Sequence, residues 1–324
     1  MKSKEPGIYS VTSNTPKLLK HLDILQNIQD EKLPVVPIMI HSVPTNKCQL
    51  KCVHCCFKNR DMQVEVEWKR WKDTVDQFVR LGTKSLEFTG GGDPTMWPHL
   101  DKAVAYLKDD LGFSTGVITN GLGTKDVKNW GKFDWVRVSL NTLDYYKDMD
   151  IDAIIDSGTT VSFCYIWNHV LSEKKMDRVA AFTDRYKIIC RFAPDCITTT
   201  DVIDKTVEHM REVVKRYPEN KYIGLSDFNV QTTRRNNQCR IHMIKPCMFS
   251  DGWIYSCPSS QLALENQYML RPKTRICKYE DVYEFYNNSE ATKVRQLNCS
   301  YCKYAKQNEF LEDLTMETTF NEFA

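Results

Sequence analysis

Three cysteines stand close together early in the chain, Cys48, Cys52 and Cys55, with three residues and then two between them. Thiolates at this spacing share one loop and suit a metal. Zinc would want a fourth ligand, and the neighbours that could supply it, His54 and Cys56, each adjoin a cysteine of the set; adjacent residues rarely reach one tetrahedral centre together. A four-iron cluster held by three thiolates instead keeps one iron free of protein, open to a small molecule. Zinc stays open as the alternative. A second group, Cys239, Cys247, Cys257, Cys277, Cys299 and Cys302, lies near the C-terminus.

The run Cys48-Gln49-Leu50-Lys51-Cys52-Val53-His54-Cys55 resembles the signature loop of the radical S-adenosylmethionine (SAM) superfamily, with His54 where that family usually has an aromatic ring. The resemblance implies that the open iron of a [4Fe–4S] cluster chelates the amino and carboxylate groups of SAM. An electron delivered by a reductant such as flavodoxin or ferredoxin then cleaves the sulfonium. The resulting 5′-deoxyadenosyl radical abstracts hydrogen from an unactivated substrate carbon, and the protein positions it and excludes water. Three further segments fit the resemblance as SAM contacts: Gly90, Gly91, Gly92 and Asp93 after the second strand, where relatives commonly have Glu at the last position; Asn120 after the third; Ser139 and Asn141 after the fourth. Arg191 on the sixth strand is a candidate for SAM's carboxylate. The plain alternatives are a glycine turn, strand-ending asparagines and a surface arginine.

Cys239, twelve residues, Gly252, four residues and Cys257 match the opening half of the pattern in the radical SAM accessory domains called SPASM and twitch, and Cys299 and Cys302 add a close pair. The cysteines of a full SPASM second half are missing, so the resemblance implies one auxiliary [4Fe–4S] cluster on Cys239, Cys257, Cys299 and Cys302. Cys247 is the substitute should Cys239 stand too far away, and a structural zinc on the same four is the alternative.

Elements must place the first loop at one rim of a sheet. From residue 35 onward, β-rich runs alternate with helix-period segments, the pattern of βα units around a parallel sheet. The strands are expected at 35–42, 85–89, 113–119, 135–140, 160–167 and 187–192, and helices at 67–81, 101–111, 174–185 and 202–217. This predicts an α/β fold, a partial (β/α)6 TIM-like barrel, with the cysteine loop at the C-terminal rim where barrel active sites are built. The expected units are an N-terminal extension (1–34, with a short amphipathic helix at 17–28), the barrel (35–230), a small cysteine-rich domain (231–310) and a tail (311–324). Within the small domain, β-rich segments at 241–249 and 253–256 flank an Asp251-Gly252 turn, and a helix is expected near Val282.

Composition is that of a globular protein, with 44 Lys and Arg against 42 Asp and Glu, so no global charge draws the chain to membrane or nucleic acid. Thirteen cysteines with no secretory-type opening fit a cytoplasmic protein that uses thiols for metal, and no run spans a bilayer. Cys164, Cys190 and Cys196 are expected to behave as small hydrophobes, and Trp68 and Trp71 as core. Residues 231–278 carry eight Lys or Arg against Asp251 and Glu265. Such a basic cap, including Arg234, Arg235, Arg271 and Lys273, would favour an anionic, nucleotide-like or nucleic-acid-borne substrate over a peptide; otherwise it neutralises a cluster or lies on a solvated face. A non-catalytic metal-stapled protein is the reading of another class.

Overall fold

A computed structural model describes residues 15–168, 172–195, 200–225, 237–261, 271–297, 299 and 302–316. After α1 (Leu22–Gln29) the chain alternates strand and helix: β1 (Ile40–Val43), α2 (Trp68–Leu81), β2 (Ser85–Phe88), α3 (Leu100–Ala105), β3 (Ser114–Thr119), β4 (Trp135–Ser139), α4 (Asp152–Asp156), β5 (Thr160–Trp167), α5 (Ser172–Tyr186), β6 (Cys190–Pro194), α6 (Thr200–Val214) and β7 (Ile223–Leu225). The seven strands pair in chain order, all parallel. The fold is the expected α/β partial barrel, with β7 as a strand the periodicity did not reveal.

Two boundaries moved for local reasons. Residues 35–39 lie outside the ladder: Thr83 Oγ1 and Ser85 Oγ donate to the carbonyls of Pro37 and Ile38, and Pro34 and Pro37 have no N–H to give a neighbour. The sixth strand starts at Cys190 because Lys187, just past α5, takes a left-handed φ of 54°. The helix expected at 101–111 is α-helical only to Ala105 and continues as a π-helical turn over Tyr106–Asp110.

Side chains alternate across the sheet. The outer row, including Ile40, Leu86, Phe88, Val117, Val136, Val138, Phe163, Tyr165 and Phe192, is buried in one core with Trp71, Val75 and Phe78 of α2. Trp71 is sealed there, its indole N–H donating to Ser42 Oγ at 2.9 Å, and Trp68 stacks on it at 5.6 Å. The inner row is mixed: Glu87, Arg137, Ser139, Ser162 and Arg191 line the lumen beside Gly116, Ile118, Trp135, Cys164 and Ile166. A parallel sheet covered by helices on one face only leaves the other free to bind.

The C-terminal region extends this sheet. β8 (Gln238–Cys239) pairs with β12 (Arg295–Gln296) in a two-stranded ribbon, while β9 (Cys247–Phe249), β10 (Trp253–Tyr255) and β11 (Arg275–Lys278) continue the barrel sheet. β9 runs parallel to β1, with His41 opposite Cys247, and the β9–β10 hairpin turns at Gly252, whose φ of 81° favours glycine. Of the β-rich stretch 241–249 only the last three residues form a strand, since Pro246 interrupts it and Ile241–Met243 is a 3-10 turn. The helix expected near Val282 is α7 (Val282–Tyr286), and α8 (Ala305–Thr315) packs on α1 across residue 310. No helix among the described residues is long and apolar enough to cross a membrane.

Candidate functional site

The loop after β1 is closed at its neck. Asn46 N–H donates to Val64 O and Val66 N–H to Pro44 O, both at 2.9 Å, and Asn46 Nδ2 reaches Asp61 O. The glycine run lies against this loop: Gly92 N–H donates to Thr45 O and Asp93 N–H to Lys47 O, at 2.9 and 2.8 Å. A Cβ on Gly92 would sit 1.9 Å from Lys47 O, and one on Gly91 2.2 Å from Asn46 Oδ1. The close approach that these glycines permit is therefore to the cysteine loop itself.

Each cysteine of the loop has a donor or hydroxyl beside its sulfur. Cys48 Sγ accepts from Leu50 N–H at 3.4 Å and from Asn120 Nδ2 at 3.7 Å; Cys55 Sγ accepts from Arg60 Nη1 at 3.3 Å. Arg60 is itself anchored on Asn46 O and Phe57 O. The Tyr145 hydroxyl accepts from Val53 N–H at 3.0 Å and faces the Cys52 sulfur. Burial pushes the Cys52 thiol up to about 12, and the nearby Cys55 and Cys48 add to it. Burial also raises Cys48. Cys48 and Cys52 resist ionising as bare thiols, which is what a cationic metal group relieves, because coordination deprotonates them outright. The donor set thus fits an iron–sulfur cluster. No three His, Cys, Asp or Glu side chains among the described residues converge on a single ion; the thiolates of a cluster bind separate irons and need not.

The remaining sequence candidates divide by what their atoms already touch. His54 is buried, its Nδ1 without a hydrogen-bond partner, and burial drives its imidazole down to about 4, so it is neutral near pH 7. Asp93 is a brace: one carboxylate oxygen accepts from Thr95 N–H and both Thr95 and Thr119 hydroxyls, the other from Asn120 N–H at 2.6 Å. It ties the end of β2 to that of β3. Asn141 is likewise engaged, exchanging hydrogen bonds of 2.8 Å with the Ile166 backbone and donating to Asp144. Ser139 and Arg191 face the lumen, level with Asn120 by strand register. Sequence reasoning passed over Arg60, Tyr145, Arg137 and the His41–Glu87 pair; an arginine five residues past Cys55 was the one visible signal.

In the C-terminal region Cys239 lies on β8, Cys257 just past β10, and Cys299 and Cys302 before α8. Burial raises the Cys257 thiol, and the next causes are Cys239, Cys299 and Cys302, so the four are neighbours. Cys247 is buried on β9 and its thiol is raised by burial and then by Cys257. Cys164 and Cys190 are buried on strands; Cys196 lies outside the described residues. Of the basic cap, Arg234, Arg235 and the Arg271 side chain lie outside them too, Lys273 is exposed, and Lys245 is buried under the Tyr304 ring at 4.3 Å.

Residues 42–162 match the Radical SAM superfamily. Over that segment, rather more than a third of its length, the chain is similar to this superfamily. The superfamily implies SAM and a [4Fe–4S] cluster as cofactors. Among curated relatives, the "S-adenosylmethionine-dependent nucleotide dehydratase" of Thermoplasmatales archaeon (strain ISO4-H5) is 30% identical over 111 residues, 32% of this chain and 38% of the relative. The "Probable GTP 3',8-cyclase" of Methanococcus maripaludis (strain C6) is 33% identical over 125 residues, 35% of this chain and 40% of the relative. The matches therefore span well under half of these relatives. Among solved structures, Streptococcus suis SuiB bound to S-adenosylmethionine superposes with a TM-score of 0.57 at 16% identity, covering 86% of this chain and 72% of SuiB. The corresponding values for anSMEcpe with bound AdoMet are 0.54, 14%, 79% and 78%. At such identities the likeness is one of fold, and it extends past residues 42–162 into the C-terminal region.

Proposed function

We propose that the protein is a radical SAM enzyme that cleaves SAM reductively and uses the 5′-deoxyadenosyl radical to take hydrogen from a carbon of an anionic, nucleotide-like substrate. The observation that carries this is the closed loop at the C-terminal rim, with three thiols, each with a donor or hydroxyl at its sulfur, opening onto the lumen. A four-iron cluster on Cys48, Cys52 and Cys55 would supply the electron for sulfonium cleavage. The chain's own residues hold the geometry. Gly91 and Gly92 seat the loop, Gly90 lets the turn before them close on Gly92, Asp93 and Asn141 fix the rim, and His54 and Ser139 wall the SAM pocket. A neutral His54 adds no charge beside SAM's sulfonium.

Cys239, Cys257, Cys299 and Cys302 form the auxiliary cluster site in a twitch-like domain over residues 231–310, and the reductant is a flavodoxin or ferredoxin of the cytoplasm. A nucleotide-like substrate is favoured over a peptide by Arg137 and Arg191 in the lumen and by relatives whose names state nucleotide substrates. The test is anaerobic reconstitution, reduction with dithionite and assay for 5′-deoxyadenosine. The wild type should form it, and the variant with Cys48, Cys52 and Cys55 all changed to Ala should not. Cleavage retained in that variant defeats the assignment, and no cleavage by an iron-loaded wild type returns the chain to the metal-stapled class.

A further inference from the structure

Two arginines project into the lumen from the strands on either side of β5, close to a β5 serine whose hydroxyl is idle. Register sets Arg137 of β4 beside Ser162 of β5, and Cys164 of β5 beside Arg191 of β6. Parallel neighbours in register point to one face, so both arginines project into the lumen, Arg191 level with the SAM rim and Arg137 one row deeper. They sense each other: burial depresses the Arg191 guanidinium and the charge of Arg137 is the next cause. Two buried polar atoms here have no hydrogen-bond partner, Arg191 Nε and Ser162 Oγ.

Glu87 is the carboxylate that faces this group. Burial works to raise it, yet His41, Arg137 and Lys303 hold it at about 2, and His41 Nδ1 is 3.4 Å from its oxygen. Lys245 also feels it, its ammonium brought down by burial to about 7 despite Glu87. A buried guanidinium with an idle N–H is costly unless an acceptor arrives, and its planar fork matches an oxyanion.

We propose that Arg137, Ser162 and Arg191 form a subsite for a phosphate group of the substrate, set inside the lumen beneath the SAM pocket. This deepens, and rests on, the reading of the chain as a radical SAM enzyme. It also moves Arg191 from SAM's carboxylate to the substrate. A dianion bridging both guanidiniums accepts from the idle Nε and from the serine hydroxyl, and Arg191, one row nearer the rim than Arg137, directs the rest of a nucleotide toward the SAM pocket.

The test titrates inorganic phosphate into the reconstituted full-length protein with SAM bound, by calorimetry at fixed ionic strength held with chloride. Wild type should bind phosphate; Arg137→Gln and Arg191→Gln should each weaken it about tenfold or more, as expected for a lost charge-assisted bond. Ser162→Ala, the mildest change, should weaken it by a smaller factor if the arginine variants fail to fold. Iron content and SAM affinity should hold in every folded variant. Phosphate binding absent in wild type, or unchanged in the variants, overturns the subsite. So does an Arg191→Gln variant that loses SAM affinity with phosphate binding intact, which would return that arginine to SAM. Reductive SAM cleavage by the same wild-type preparation is read separately: phosphate binding lost on substitution but no cleavage keeps the subsite and defeats the enzyme reading.

Discussion

Arg60 should set the reduction potential of the first cluster, and Arg60→Met measures by how much. Its Nη1 lies 3.3 Å from Cys55 Sγ, where a unit charge at an effective dielectric of about 20 interacts with about 5 kcal/mol. The electron added on reduction is shared over the whole cluster and Arg60 is half-buried, so about 1–2 kcal/mol of differential stabilisation remains. For a one-electron couple, at about 59 mV per 1.4 kcal/mol, that is about 40–85 mV. The sign is fixed: removing a cation disfavours the more negative, reduced state, so the potential should fall. Arg60→Lys keeps the charge and should recover most of the loss. The assay is a redox titration of the reconstituted protein followed by electron paramagnetic resonance, with iron content measured alongside. An unchanged potential in an Arg60→Met protein that keeps its iron would refute the argument.

Gly92→Ala should drive the cysteine loop away from β2, since its Cβ would meet Lys47 O at 1.9 Å; iron per chain should drop by about half while the helical circular dichroism persists. Cys239→Ala should lose the auxiliary iron and Cys247→Ala should not, by iron analysis, because Cys239 acts more strongly than Cys247 on Cys257. His242 is buried beneath Ala291 O at 3.1 Å, and its imidazole is held down at about 3, first by burial and then by Arg295. A depressed histidine contributes stability that is present above its unfolded value of about 6.5 and lost as pH falls toward about 3, at about 1.4 kcal/mol per pH unit. Urea midpoints should therefore fall more steeply from pH 7 to 4 in wild type than in His242→Gln, and parallel slopes would contradict this.

The barrel was legible because its signal is periodic. All six expected strands occur, since short β-rich runs with buried, largely apolar outer residues recur between helix-period segments. β7 was not, being three residues long. Nor was the joining of β9 to β1, because pairing between residues some two hundred apart leaves no local trace. The three cysteines of the first site were legible because one loop carries them. The residues that act on their sulfurs were less so: Arg60 is local and overlooked, whereas Tyr145 arrives from the far end of β4. The inward face of Arg137 follows only from register, which flips with a shift of one residue.

The sheet's continuity from β1 into β9 bears on how the chain is made. β1 precedes its partner β9 by some two hundred residues, so during synthesis the whole parallel array can assemble while one flank of β1 stays bare. A bare strand edge pairs readily with other chains. Closing that flank needs only residues 247–249, which arrive before Cys299 and Cys302 leave the ribosome. The nascent protein can thus seal its sheet before Cys299 and Cys302 emerge, so the order of emergence separates the finishing of the barrel from the filling of the proposed auxiliary site.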